Sequence, residues 1–344
     1  MPGRDIIVVG ASAGGVEALS QLAAGLPKDL PAAVFIVLHV PAQGTSVLPQ
    51  ILSRVGPLPA THPQDGEPIH VGHIYVAPPD RHLLVRDGHV RLTRGPRENS
   101  NRPAIDPLFR TAARDHGRHV IGVVLTGVLD DGTAGLAAVK QRGGVAVVQD
   151  PADALYAGMP QSALANVAVD YCLPVTAMPQ TLARLAAEPL PPGADPSPVS
   201  PEMDIEARIA ELEMDALQAP DPDRPGTPSG FSCPECGGSL WELHEGDLIR
   251  FRCRVGHAWS ADSLLAEQSV ALEAALWAAL RALEEKANLA RRLAERIRSR
   301  GDGKRTAEHF ERQVEECEQH AALLRQTLLQ RQASPPGGSA AEAS

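Results

Sequence analysis

Apolar runs with no polar interruption recur through the first 190 residues. Asp5 to Gly10 (DIIVVG), Val34 to His39, Gly72 to Ala77, Val120 to Leu125 and Val145 to Val148 each read as a strand. Runs of Val, Ile and Leu that are apolar at every position, not at every second one, mark strands covered on both faces. Amphipathic stretches alternate with them: Val16 to Leu26, Leu108 to His116 and Thr133 to Arg142. Leu83 to Leu92, with Asp87-Gly88 at its middle, predicts a β-hairpin, because Asp-Gly adopts the tight turn that joins two such strands. Strands alternating with helices predict an α/β fold with a doubly wound, mostly parallel, Rossmann-like sheet.

The pattern then breaks. Residues 188–203 and 219–230 are proline-rich and read as linkers, with a short helix between them from Ile205 to Leu217. Residues 231–260 form a Cys- and Gly-rich unit. From Asp262 to about Arg331 the chain is helix-forming, with a stop at Arg300 to Gly303. Phe310, Val314, Cys317, Ala321, Leu324 and Leu328 recur at alternating spacings of four and three, which makes an amphipathic or coiled-coil stripe. An antiparallel helical hairpin is the simplest arrangement. The expected division is a catalytic domain over 1–190, a Pro-rich linker over 191–230, a ribbon-like module over 231–260, a helical hairpin over 261–332 and a disordered tail over 333–344.

Composition narrows the function. The chain has 344 residues and 43% hydrophobic residues, enough for more than one core, but only 3% aromatics. A net charge of −10 disfavours nucleic acid as a partner, since phosphate binding needs clustered Lys and Arg. No apolar stretch approaches the roughly 18 residues of a membrane span, and the N-terminus does not read as a signal peptide. A cytoplasmic protein without membrane insertion is the expectation. Five cysteines, three of them close together late in the chain, suggest a metal site and not a disulfide framework.

Gly10-Ala11-Ser12-Ala13-Gly14-Gly15 follows the first strand and opens a helix. Such a turn can cradle phosphate on a helix N-terminus. As G-x-S-x-G it can equally expose a serine nucleophile. The dinucleotide fingerprint is missing, because Ser12 stands where its second glycine belongs, and there is no Walker lysine. A serine hydroxyl needs a base, and the base needs an orienting group. His39 ends the Val34 strand; Asp130 and Asp131 lie in the glycine-rich loop after the Val120 strand. Read singly, His39 could cap a strand and the aspartates could cap a helix. Together, three strand ends supply the parts of a triad, in the order Ser, His, Asp.

These residues carry a family resemblance. IIVVGASAGGVEAL, VLHVP, IYVAPPDRHLLV, NRPAIDPLFRTAA, VVLTGVLDDGTAGL and AGMPQSAL, over roughly residues 4–187, resemble the catalytic domain of the chemotaxis protein-glutamate methylesterases of the CheB type. The resemblance implies a serine esterase acting on methylated chemoreceptors, with glutamine deamidation as a second activity and no cofactor for catalysis. It implies Ser12 as nucleophile, His39 as base and Asp131 as orienter, with Asp130 the fallback. Family members usually carry an N-terminal receiver domain; here the esterase pattern begins at about residue 4, so none is expected ahead of it. Arg102, Asp106 and Arg110 read either as groove-lining residues or as a structural ion-pair set.

Cys233-Pro-Glu-Cys236 and Cys253-Arg-Val-Gly-His257 have the spacing of a zinc ribbon. Three thiolates and one imidazole would fill a tetrahedral zinc site, so the ion is expected to be structural. His244 is the less favoured ligand. Cys172 and Cys317 read as buried cysteines. The C-terminal stripe has three candidate partners: its own hairpin, a second copy in a dimer, or a receptor's helical bundle. The alternative function is a catalytically silent signalling module of the same fold; a nucleotide site at Gly10–Gly15 is the third.

Overall fold

The computed structural model describes residues 3–190, 198–212, 226–245, 248–300 and 303–333. The first strands are β1 (Ile6–Ala11), β2 (Ala33–Leu38), β3 (Ala60–Thr61) and β4 (Ile74–Val76). A hairpin follows, β5 (His82–Arg86) and β6 (His89–Thr93), then β7 (Val120–Val124), β8 (Val145–Gln149) and β9 (Tyr171–Leu173). The connecting helices are α1 (Gly15–Gly25), α2 (Leu48–Val55), α3 (Ile105–His116), α4 (Thr133–Gln141), α5 (Gly158–Asn166) and α6 (Met178–Ala187). Seven strands form one sheet in the order β3-β4-β2-β1-β7-β8-β9. All of its pairings are parallel.

The sheet is covered on both faces. Along β1, Ile7 and Val9 enter the core that holds Leu19 and Leu22 of α1, whereas Ile6 and Val8 enter the opposite core with Leu108 and Phe109 of α3. This is why the strand sequences lack alternation. Chain connections leave β1 toward β2 on one side and later return to β7 on the other. The carboxyl ends of β1, β2 and β7 therefore meet at a point where strand order reverses, the usual place for a ligand in such sheets.

The expected hairpin forms, and its turn residues Asp87 (φ 49°) and Gly88 (φ 72°) both adopt the left-handed conformation such turns require. The strand expected over Gly72 to Ala77 is shorter, Ile74–Val76. Cys172, expected to be buried, is exposed, because β9 is the sheet's edge strand; Cys317 is buried. The helix expected at Ile205 starts earlier, as α7 (Pro201–Ala210). Ser200 Oγ accepts the Met203 N–H at 3.1 Å and Pro201 occupies the first turn, where its missing N–H costs nothing. Leu217 and most of the two proline-rich stretches lie outside the described residues. The end of the second stretch is not a linker but the start of strand β10 (Thr227–Ser232).

Strands β10, β11 (Ser239–Glu245), β12 (Leu248–Cys253) and β13 (Ala258–Ser260) make an antiparallel sheet in chain order. Its small core is Cys233, Leu240, Phe251, Cys253, Trp259 and Leu264. Residues up to Leu264 belong to one compact unit with the large sheet. Charge joins the parts of that unit: Glu98, Arg110 of α3, Glu206 of α7 and Arg250 and Arg252 of β12 are all buried together. Arg110 Nη2 and Arg250 Nη2 lie 3.0 and 3.2 Å from Glu98 Oε2, Arg252 Nη2 lies 3.0 Å from Glu98 Oε1, and Arg250 Nη1 lies 3.0 Å from Glu206 Oε2.

Helix α8 (Ala261–Ser299) carries the chain into a second compact unit, which starts at Leu265. There it pairs with α9 (Lys304–Ala333). Ion pairs Arg298–Glu311, Arg291–Glu318 and Arg325–Glu284 show that the two helices run antiparallel. Leu280, Ala321 and Leu328 are buried between them, with Leu276, Leu283 and Leu324 partly buried against them. Among the described residues no helix is long and apolar enough to cross a membrane.

Candidate active site

Ser12 sits on the turn from β1 into α1. Gly14 caps that helix with φ 73°, a conformation only glycine adopts freely. A side chain at Gly10 would collide with Ile105, so the turn passes close beneath the start of α3. Ser12 donates its own N–H to Thr126 O at 3.0 Å, which fastens the turn to the loop after β7. The Thr126 hydroxyl donates to Ala13 O at 3.0 Å and accepts the Tyr156 N–H at 2.8 Å.

His39 directly follows β2. Its Nδ1 lies 3.1 Å from Ser12 Oγ, and its Nε2 lies 2.7 Å from Asp131 Oδ2. With the proton on Nε2, the ring donates to Asp131 and leaves Nδ1 free to accept from Ser12. The His39 side chain is 13% exposed and that of Asp131 3% exposed. Substrate can thus reach the histidine, while water is kept from the carboxylate.

Asp131 is held from several directions. Oδ2 accepts the Ile105 N–H at 2.8 Å, and Oδ1 accepts the Asn99 side-chain amide at 3.0 Å. Burial alone would raise its pKa. The bond and charge of His39 outweigh that, helped by Ile105 and Asn99, and hold the carboxyl below the usual range. The adjacent Asp130 points elsewhere: its Oδ1 accepts from Ser260 Oγ at 2.7 Å and Ser263 Oγ at 3.1 Å. Burial pushes its carboxyl up to about 6, against the pull of those hydroxyls.

The Arg102, Asp106 and Arg110 set divides. Arg110 is wholly buried in the charge network. Asp106 accepts N–H groups of Gly132 and Gly135 at 3.0 and 2.7 Å, bracing the loop that carries Asp131. Burial, then the charge of Asp131, pushes its pKa well up. Arg102 pairs with Asp80 and lines a cleft of about 370 Å³ together with His39, Pro41, Arg97 and Asn101. Both of its guanidiniums are paired, Arg102 with Asp80 and Arg97 with Glu235.

Cys233, Cys236, Cys253 and His257 come together, with their ligand atoms all within 4.8 Å of one another. Cys236 Sγ lies 3.6 Å from Cys253 Sγ, and His257 Nδ1 lies 3.8 and 3.6 Å from the sulfurs of Cys233 and Cys253. A tetrahedral ion with bonds of about 2.3 Å to sulfur and about 2.0–2.1 Å to nitrogen sets its ligand atoms roughly 3.5–3.8 Å apart. The residues fit such an ion. Burial, then the Cys233 thiol, pushes the Cys253 thiol up to about 12, so thiolates at this spot need a cation's charge. His244 is exposed on β11, beside Glu242, and does not join the cluster.

The family model described as CheB methylesterase matches residues 7–182. The chain belongs to the CheB methylesterase family. It is 38% identical over 181 residues to protein-glutamate methylesterase/protein-glutamine glutaminase 2 of Anaeromyxobacter dehalogenans, covering 53% of either chain. A relative from Leptospira interrogans is 38% identical over 182 residues, which are 53% of this chain and 94% of that one. The crystal structure of the Thermotoga maritima CheB methylesterase catalytic domain matches with a TM-score of 0.51 and 34% identity, over 53% of this chain and 98% of that one. The chain thus spans about half the length (53%) of the curated Anaeromyxobacter relative.

Asn99 and the Ser260–Asp130 contact were missed in the sequence. Both sit in or against the polar run Arg97 to Asn101, which has no periodicity to mark it. The only signal was the family-like NRPAID motif that begins two residues after Asn99.

Proposed function

We propose that this protein is a protein-glutamate methylesterase that hydrolyses glutamate 5-O-methyl esters on chemoreceptors, releasing methanol, and that it deamidates glutamine side chains as a second reaction. The observation that carries this reading is the hydrogen-bonded line Ser12–His39–Asp131 across three strand ends. The names of the relatives, and a cleft that opens beside His39, support it.

Ser12 Oγ attacks the ester carbonyl carbon as its proton passes to His39 Nδ1. Asp131 stabilises the resulting imidazolium through Nε2–H. The negative charge on the carbonyl oxygen is met by backbone N–H groups. The N–H groups of Ser12 and Gly127 are committed to Thr126 O and Tyr156 O, so Ala13, at the positive end of α1, and the Val128 loop are the candidates. Collapse breaks the carbon–methoxy bond, and the methoxy oxygen takes the His39 proton and leaves as methanol. Water, giving a proton to His39, then attacks the acyl-enzyme, and the proton returns to Ser12 as glutamate departs. For glutamine, ammonia is the poorer leaving group, so that reaction is slower.

Under the same reading the chain comprises a catalytic domain over 1–190, the helix α7, a zinc ribbon that begins with β10 at Thr227 and runs to 260, and a helical hairpin over 261–332. The zinc is structural: Cys233, Cys236, Cys253 and His257 would occupy all four positions, leaving none for substrate. The hydrolase and silent-module readings separate with a fluorophosphonate probe, which forms a covalent bond only with an activated serine. Labelling that maps to Ser12 and vanishes in Ser12→Ala supports the enzyme. No labelling of the wild type overturns it.

A further inference from the structure

The loop from Arg97 to Asn101 lies between two parts of the molecule. On one side Asn99 Nδ2 donates to Asp131 Oδ1 at 3.0 Å. On the other side β13 of the Cys/His module grips the loop. Ala258 N–H donates to Arg97 O at 3.1 Å, Asn99 N–H donates to Ala258 O at 2.8 Å, and Ser260 N–H donates to Asn99 Oδ1 at 2.8 Å. Neighbouring side chains reinforce the grip. Glu98 is buried against Arg250 and Arg252 of β12, and Arg97 pairs with Glu235, between the first two cysteines, at 3.2 Å.

We infer that Asn99 is a positioning residue for the triad and that the docked Cys/His module holds it in place. The inference rests on the hydrolase reading above. The residue type fits the task. The carboxylate of Asp131 needs a donor and the Ser260 N–H needs an acceptor; an amide offers one of each. An aspartate at 99 would set a second carboxylate against Asp131, and an alanine would leave Asp131 Oδ1 with only the longer Asp106 N–H contact at 3.4 Å and take the acceptor from the Ser260 N–H. The backbone fits as well. Asn99 (φ 51°) and Ser100 (φ 63°) both stand in the left-handed region, which asparagine tolerates better than most residues and which needs outside contacts to persist. Those contacts come from β13. Arg97 and Asn101 of the same loop line the cleft beside His39, so docking of the module also shapes the substrate side. Through this loop a module remote in sequence sets the reactivity of Ser12.

The test uses the full chain and the labelling of Ser12 by a fluorophosphonate, read as a maximal rate, a saturation constant and the pH midpoint of the rate. Asn99→Ala is expected to lower the maximal rate about 10- to 100-fold, the worth of one hydrogen bond to a charged group. Its saturation constant should stay near wild type, and its pH midpoint should move. Ser260→Pro removes the N–H that Asn99 accepts, and Ser260→Ala keeps it. The proline variant should slow labelling in the wild-type background and add nothing in the Asn99→Ala background. Where the proline variant does not fold, Cys236→Ser, altering the exposed cysteine of the module, takes its place in the same cycle. An unchanged maximal rate and pH midpoint in Asn99→Ala overturns the inference. So does a module variant whose effect multiplies fully with that of Asn99→Ala. A wild type that does not label at all overturns the hydrolase reading instead.

Discussion

Asn99 and Asp131 stand 32 positions apart in the chain, and a single hydrogen bond of 3.0 Å joins them. That bond leaves Asp131 Oδ2 to His39 and Ile105, because Oδ1 is already engaged. A carboxylate fixed at both oxygens cannot rotate, so the imidazole it holds keeps one orientation toward Ser12. The arrangement separates the two adjacent aspartates into distinct roles.

The first prediction follows from that separation. Asp131→Asn should lower ester turnover on the order of 10³- to 10⁴-fold, because an amide can present its N–H to His39 and reverse the ring's protonation. Asp130→Asn should stay close to wild type, since an amide oxygen still accepts from Ser260 and Ser263. Steady-state rates on one methyl ester check both. Equal losses in the two variants would contradict the assignment.

Asp130 also has a pH signature. Its folded pKa is raised from 3.8 to about 6 by burial. The folded state therefore binds its proton more tightly than the unfolded state. The stability this supplies is fully present below about pH 4 and is lost as pH rises through about 6. Asn at 130 mimics the protonated form at every pH. Asp130→Asn should thus gain stability relative to wild type between pH 4.5 and 7, measured by urea unfolding at each pH. A difference that does not vary with pH would count against it.

The buried charge network predicts a large stability effect away from the triad. Glu98→Ala removes one of the two buried glutamates, Glu98 and Glu206, that pair with Arg110, Arg250 and Arg252. Removing one partner from a buried set strands charge out of water, at a cost of about 3–5 kcal/mol. Urea unfolding should show a loss of that size. The Arg184–Glu188 pair is half exposed on both sides, and its removal should change the unfolding midpoint little beside that.

The four-ligand cluster predicts one zinc ion per chain by metal analysis of the purified protein. The small module around Trp259 has a core of only six residues, too few to hold it folded unaided. Chelation should lower the melting temperature and expose Trp259, raising its quenching by iodide. A metal-free protein with an unchanged melt would contradict this.

The large sheet could be read from the chain because each of its long strands is covered on both faces and so is apolar along its length, Gln149 at the end of β8 excepted. Ser12, His39 and Asp131 could be placed at strand ends for the same reason. Which aspartate faces His39 is implied by the family resemblance and not by the loop itself, because both lie in one loop and the direction of each is set by partners far away, Ile105 and Asn99 for one, Ser260 for the other. The start of α7 is masked in the sequence because Ser200-Pro201 lies in a proline-rich stretch, although serine followed by proline is also how a helix begins. The charge network stayed hidden because Glu98, Glu206 and Arg252 resemble ordinary solvated residues until the fold brings them together.

The most direct measurement is methanol release from methyl-labelled chemoreceptor fragments by the purified full chain, compared with Ser12→Ala. Methanol released by the wild type and not by the variant is the result this account predicts. Release at equal rates from both proteins would contradict it, because the chemistry would then not pass through Ser12.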